Sequence, residues 1–170
     1  FGGYRISKDE LFCNLVDADG YYFTHFLQDK AKTAYGGAEL KYGYKDWFDA
    51  SLKGTFYSWK TDNENEELYL MTKPKFELNF YAEAKVFEGL KVYLGYEYVQ
   101  RKEYVIEEGN SSRDFGLGNI SNLSVGASYT FLKDLSVFGR VNNLLNKQYY
   151  YEYGYPAEKL NVLAGLSLVF

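Results

Sequence analysis

Residues 74 to 87, PKFELNFYAEAKVF, alternate without a break. Phe76, Leu78, Phe80, Ala82, Ala84 and Val86 take every second place, and Lys75, Glu77, Asn79, Tyr81, Glu83 and Lys85 take the places between. A helix would scatter both sets around its axis, whereas a strand sends successive side chains to opposite faces, so only a strand sorts this stretch into one apolar and one polar face. It is also long: strands of globular sheets usually run to roughly five or six residues, and about 9 to 11 tilted residues suffice to cross a bilayer.

The same period of two recurs along the chain. Ala34, Gly36, Ala38, Leu40 and Tyr42 oppose Thr33, Glu39 and Lys41, and Phe48, Ala50, Leu52 and Phe56 oppose Asp49, Ser51, Lys53 and Thr55. Further on, Leu90, Val92, Leu94, Tyr96 and Tyr98 oppose Lys91, Tyr93, Gly95 and Glu97, while Leu123, Val125, Ala127, Tyr129 and Phe131 oppose Asn122, Ser124, Gly126 and Ser128. Strands are expected at about 33–44, 47–59, 74–87, 90–104, 119–131, 134–144 and 160–170. Before residue 30 the pattern weakens, but ELFCNLV and YYFTHFLQ, split by DADG, read as a hairpin, and GGYRIS as one more strand. Short turns at 44–46, 87–89 and 132–134 alternate with long polar links at 60–73, 105–118 and 145–159. An up-and-down meander follows, with every short turn at one end of the sheet and every long link at the other.

Alternation alone does not say which face meets water. A soluble barrel would turn its apolar face inward and leave Lys75, Glu77, Glu83 and Lys85 outside. Three features favour the reverse. Lys75, Glu77, Glu83 and Lys85 put opposed charges on one face of a single strand, which a dry lumen would have to pair or neutralise and a wet or plug-filled lumen tolerates; aromatic residues make up 20% of the chain and gather near the strand ends; and short turns opposite long links are the habit of outer-membrane barrels. The gathering is clearest in Tyr42, Tyr44, Trp47 and Phe48 at one end and Tyr57, Trp59, Tyr96, Tyr98 and Tyr104 at the other. The fold class expected is therefore all-β, a transmembrane antiparallel up-and-down β-barrel with about 8–10 strands in this chain and part of a larger barrel. Residues 1–170 form a single barrel segment. Backbone in hydrocarbon must pair all its N–H and C=O groups internally, so such a sheet has to close.

Other chemistries find little support. Lys and Arg number 19 against 23 Asp and Glu and are dispersed, so a nucleic-acid footprint is absent. One cysteine, Cys13, and one histidine, His25, make no zinc site or internal disulfide. No catalytic triad or carboxylate pair stands out, and neither a resident metal nor a cofactor is expected. Asp62, Glu64, Glu66 and Glu67 offer oxygen ligands, yet without the glycine of a known calcium loop they read as a solvated link. The run Tyr149, Tyr150, Tyr151, Tyr153 and Tyr155 could stack on a sugar, a chelate or another flat ligand, or serve as an interfacial belt.

The closing stretch FGRVNNLLNKQYYYEYGYPAEKLNVLAGLSLVF, residues 138 to 170, resembles the C-terminus of TonB-dependent outer-membrane receptors. The resemblance lies in Asn-Leu-Leu-Asn-Lys-x-Tyr from Asn143 to Tyr149, an aromatic loop with Gly154-x-Pro156, and a last strand ending in Phe170. It implies a place in the outer membrane of a Gram-negative bacterium, contact with outer-membrane lipid, and a small-molecule or glycan ligand. It further implies that Val162, Ala164, Leu166, Leu168 and Phe170 form the signal read by the barrel-assembly machinery. Energy would come from the TonB system through a plug domain not present in this chain. The rival expectations are a free-standing small barrel acting as adhesin or scaffold, and a barrel hydrolase.

Overall fold

The structure, a computed structural model, describes residues 1–7, 10–16, 22–28, 31–61, 70, 72–101, 105–108, 111–114, 117–152 and 155–168. In chain order the strands are β1 (Gly2–Ser7), β2 (Glu10–Val16), β3 (Tyr22–Gln28), β4 (Ala31–Tyr44), β5 (Phe48–Thr61), β6 (Pro74–Phe87) and β7 (Leu90–Arg101). They continue with β8 (Val105–Glu108), β9 (Ser111–Asp114), β10 (Ile120–Leu132), β11 (Leu135–Asn142), β12 (Tyr150–Glu152), β13 (Tyr155–Pro156) and β14 (Asn161–Leu168). Eight of them make one antiparallel sheet in the order β1-β4-β5-β6-β7-β10-β11-β14, and the other six form three separate two-stranded hairpins. The hairpin foreseen before residue 30 exists, with Cys13 opposite His25 in the ladder, but it stands apart from the main sheet. Its strands have 7 residues each, against 14 in β4, β5 and β6, and they decorate the link from β1 to β4.

Of the strand expected at 90–104, β7 is described to Arg101 and residues 102–104 lie outside the described residues; the strand expected at 134–144 ends earlier, at Asn142. Asn143 turns into the left-handed region (φ 49°) and stops the ladder. Tyr104, the acidic stretch 62–67, DADG, Tyr153, Gly154 and Phe170 lie outside the described residues.

The register aligns the faces of all eight strands. Leu40 pairs with Leu52, Leu52 with Phe80, Phe80 with Tyr96 and Tyr96 with Leu123. One row nearer the short turns, Tyr42, Ala50, Ala82, Leu94, Val125, Val141 and Val162 stand side by side. A slip of one residue in any ladder would turn a whole strand inside out, so this agreement is a strong constraint. Glu39, Lys53, Glu77, Glu83, Lys91 and Arg140 fall on the opposite face, where Lys91 meets Glu83 at 3.1 Å and the Tyr57 hydroxyl donates to Glu77 at 2.8 Å.

Exposure settles which face is which. Leu40 and Leu166 on the apolar face are 69% and 73% exposed, whereas Thr55 on the polar face is 3% exposed and Thr33, Ser124 and Arg101 are buried there too. In water each large apolar side chain left out would forgo about 1.5–3 kcal/mol of burial; in hydrocarbon it loses nothing. The apolar face also carries rings at two levels. Tyr42, Tyr44, Trp47 and Phe48 contact one another beside the first short turn, with Phe87, Tyr129 and Phe131 beside the others. Phe56, Phe76 and Tyr98 form the second level. From Phe48 to Phe56 along β5 is about 27 Å at ~3.4 Å per residue, or about 20 Å across the membrane at ~40° tilt, close to the ~25 Å apolar band of outer-membrane walls. Between the two levels no described residue of the apolar face is charged. Tyr57 and Trp59, expected in this second belt, stack on the polar face instead (ring centroids 6.0 Å), because their odd positions follow Lys53 and Thr55.

Two glycines of the polar face are required by close approach. A Cβ on Gly126 would run into the Tyr93 ring from the neighbouring strand. A Cβ on Gly37 would collide with the Gly54 carbonyl oxygen, which is backbone and cannot swing away. Gly37→Ala should therefore cost about 1–3 kcal/mol, the usual range for overpacking, in chemical unfolding. Gly126→Ala should cost less, since a ring can rotate.

β1 and β14 are the two edges of the sheet and do not pair with each other. The described sheet is an open arc of an antiparallel barrel.

Candidate functional site

The long links meet above one end of the polar face. Leu117 of the link after β7 is buried against Leu70 of the link after β5 and Tyr150 of the link after β11. Beside it, Tyr149 packs on Val99, Ile120 and Ala157. Val99 and Ile120 face each other in the β7–β10 ladder on the side of Glu97 and Ser124, so the last link folds inward over the polar face.

Asn143 organises that fold. Its side chain is 1% exposed. Nδ2 donates to the carbonyls of Lys147 (2.7 Å) and Glu158 (3.1 Å), and Oδ1 accepts from the Lys147 amide (3.1 Å). Its own amide donates to Asn122 Oδ1 at 3.0 Å. Asn146, also left-handed (φ 50°), accepts from the Leu160 amide. Asparagine is the side chain that tolerates this backbone region while bonding nearby peptide groups, which explains both asparagines of the Asn143–Tyr149 motif. Leu144 and Leu145 are left exposed.

Arg101, at the end of β7, forms the second anchor: its guanidinium Nη1 donates to the Tyr150 carbonyl, and its backbone amide donates to Asn119 Oδ1 at 2.9 Å. The Ala157 amide closes the link by donating to Tyr149 O at 2.9 Å.

The tyrosines expected to contact ligand thus separate. Tyr149 is 5% exposed; burial, then its hydrogen bond with Tyr151, pushes its phenol well above the ordinary value. Tyr150 is half-buried and its hydroxyl accepts from Gln148 Nε2. Tyr151 is 51% exposed and stands edge-on to Tyr149 at 5.5 Å. Tyr155 is exposed on β13. Sequence reasoning missed Arg101 and Glu97, which sit in an ordinary alternating strand. In the sequence, Asn143 stands out only as the first residue of the Asn-Leu-Leu-Asn-Lys-x-Tyr resemblance.

Directly after this link, Val162, Ala164, Leu166 and Leu168 share the apolar face of β14, opposite Val141, Gly139, Val137 and Leu135. Among the described residues no group of three His, Cys, Asp or Glu could hold a metal, and no helix is long and apolar enough to cross a membrane, which leaves crossing by strands untouched.

No protein-family model matches the sequence, and no curated protein matches it. Solved structures do. FpvAI in complex with a pyocin superposes with a TM-score of 0.66 at 17% identity, over 89% of this chain and 21% of that one. P. aeruginosa FpvA bound to a heterologous pyoverdine with iron gives a TM-score of 0.67 at 16% identity, over 94% of this chain and 23% of that one. The chain thus spans about a fifth of the length of these proteins, which are TonB-dependent receptors. With the open edges and the outward apolar face, the likeness shows the fold of part of the barrel of these TonB-dependent receptors.

Proposed function

We propose that the chain is a wall segment of an outer-membrane receptor for TonB-dependent nutrient uptake, and that its long-link end forms part of the extracellular ligand surface. One observation carries the reading: large apolar side chains lie exposed on one face while threonine, serine and arginine are buried on the other. Such an inverted wall suits acyl chains outside and a wet or plug-filled lumen inside. The open edges at β1 and β14 weigh against a free-standing small barrel of these strands, since unpaired backbone in hydrocarbon costs several kcal/mol per group. The ligand would be a small molecule such as a metal chelate or vitamin, or a glycan, and the energy would reach it through a plug and the TonB system. Val162, Ala164, Leu166, Leu168 and Phe170 would present the last strand to the barrel-assembly machinery. No observation among the described residues favours the hydrolase reading over this one.

The test is expression of the whole reading frame that contains this chain in a Gram-negative host. Recovery in the outer-membrane fraction as a heat-modifiable band, with nutrient-limited growth that depends on both this gene and the energy-coupling system, is the expected result. A polypeptide that stays soluble without detergent would overturn the membrane assignment, and growth independent of the coupling system would overturn the transport one.

A further inference from the structure

We infer that Arg101 is a positioning residue which, with Asn143, holds the last long link as a fixed shelf over the polar face, and that Tyr151 is the ring this shelf offers to a ligand. The inference rests on the reading of this end as a ligand surface and adds to it which residues set the surface and which ring is presented. Four contacts fasten the link, and they come from different parts of the sheet. Asn143 ties the start of the link at Lys147 to its return at Glu158. Tyr149 fills the gap over Val99 and Ile120. Tyr150 packs on Leu117, which also touches Leu70. Arg101 reaches from β7 to the carbonyl of Tyr150, the residue just before Tyr151.

The side chains of Tyr149 and Tyr150 are occupied with this fastening, so neither has a free ring face to give. Tyr151 differs. It is held on one side by the Tyr149 ring, edge-on at 5.5 Å, yet it remains half open to solvent. A half-exposed ring braced by a neighbouring ring loses little conformational freedom when a ligand stacks on it. The ring faces a polar group with a positive edge, a ring hydrogen of a sugar or a cationic group, better than an anion. Arg101 matters because the bond it makes is to the backbone: without it the Tyr150–Tyr151 peptide has no tie to β7 among the described residues.

The test uses the full-length protein in detergent micelles and three variants, Arg101→Met, Arg101→Lys and Tyr151→Leu, read by hydrogen exchange and by microarray binding to a glycan panel together with choline and arginine methyl ester as cationic probes. Arg101→Met should speed exchange at the Ala157 amide about tenfold while leaving the amides of β10 and β11 unchanged, and Arg101→Lys should restore most of the protection. Tyr151→Leu should leave exchange intact and abolish binding of whichever probe the parent protein retains. Unchanged exchange in Arg101→Met, or equal loosening of β10 and β11, overturns the positioning role. Binding that survives Tyr151→Leu, or a parent protein that binds no probe, overturns the assignment of the ring. Failure of the receptor reading itself would show separately, as absence from the outer membrane.

Discussion

Leu40→Arg is expected to destabilise the protein in lipid by about 2–4 kcal/mol, the cost of a cation at the midplane of a lipid-facing barrel surface. Leu40 is level with Leu52, which lies midway along β5 between the Phe48 and Phe56 ring levels. On a water-facing sheet the same change at so exposed a position would fall within about 0.5 kcal/mol of zero. The neighbour on the other face, Glu39, supplies the control. Its partner Lys41 is 3.3 Å away and both are well exposed, so Glu39→Arg should cost under about 1 kcal/mol. Depth gives a second check. Leu166 is level with Val137 and Tyr129, at the ring belt beside the short turns, so Leu166→Arg should cost only about 0–1 kcal/mol near the interface. Unfolding by urea in lipid vesicles measures all three; equal small costs at Leu40 and Glu39 would mean that both faces meet water.

The wall was legible in the sequence because period-two alternation over long strands leaves no other sorting of the residues. The boundaries of 74–87 coincide with β6, and the apolar sets read strand by strand came out in register across the sheet. Where the reading was coarser, the cause is physical. The early hairpin alternates like a wall strand, and only its short ladder and its own pairing separate it from the main sheet. Tyr57 and Trp59 were placed in a belt by composition, although their parity in β5 put them with Lys53 and Thr55. At the site, the sequence offers a run of similar tyrosines, but it does not reveal that one is buried, one half-buried and two exposed. That division depends on contacts from β7, β10 and two other links, far away in the chain. Arg101 and Glu97 carry no local signature at all; they become notable only when the last link lies across them.

Asn143→Asp should undo the fastening of the last link. The substitution keeps the shape and the tolerance for positive φ, but replaces the two Nδ2 bonds to Lys147 O and Glu158 O with oxygen facing oxygen. The Lys147 amide can still donate to the remaining carboxylate oxygen. At 1% exposure the new carboxylate has almost no water, so the loss of two bonds, the two stranded carbonyls and the desolvated charge together should remove about 3–5 kcal/mol of link stability at neutral pH. Burial and the facing carbonyls raise the folded-state pKa of the new aspartate above its unfolded value of about 3.9. The neutral acid, which can donate one of the lost bonds, is therefore the form the folded link prefers. Stability is accordingly retained best below about pH 4 and lost as pH rises through the folded value. Asn143→Gly, which fits the backbone and strands the same carbonyls without a charge, should show a smaller loss that does not change across this range. Exchange at the Ala157 and Leu160 amides from pH 4 to pH 7, corrected for intrinsic rates, distinguishes the two. A flat profile for Asn143→Asp would mean that water reaches position 143 and that the link is not fastened there.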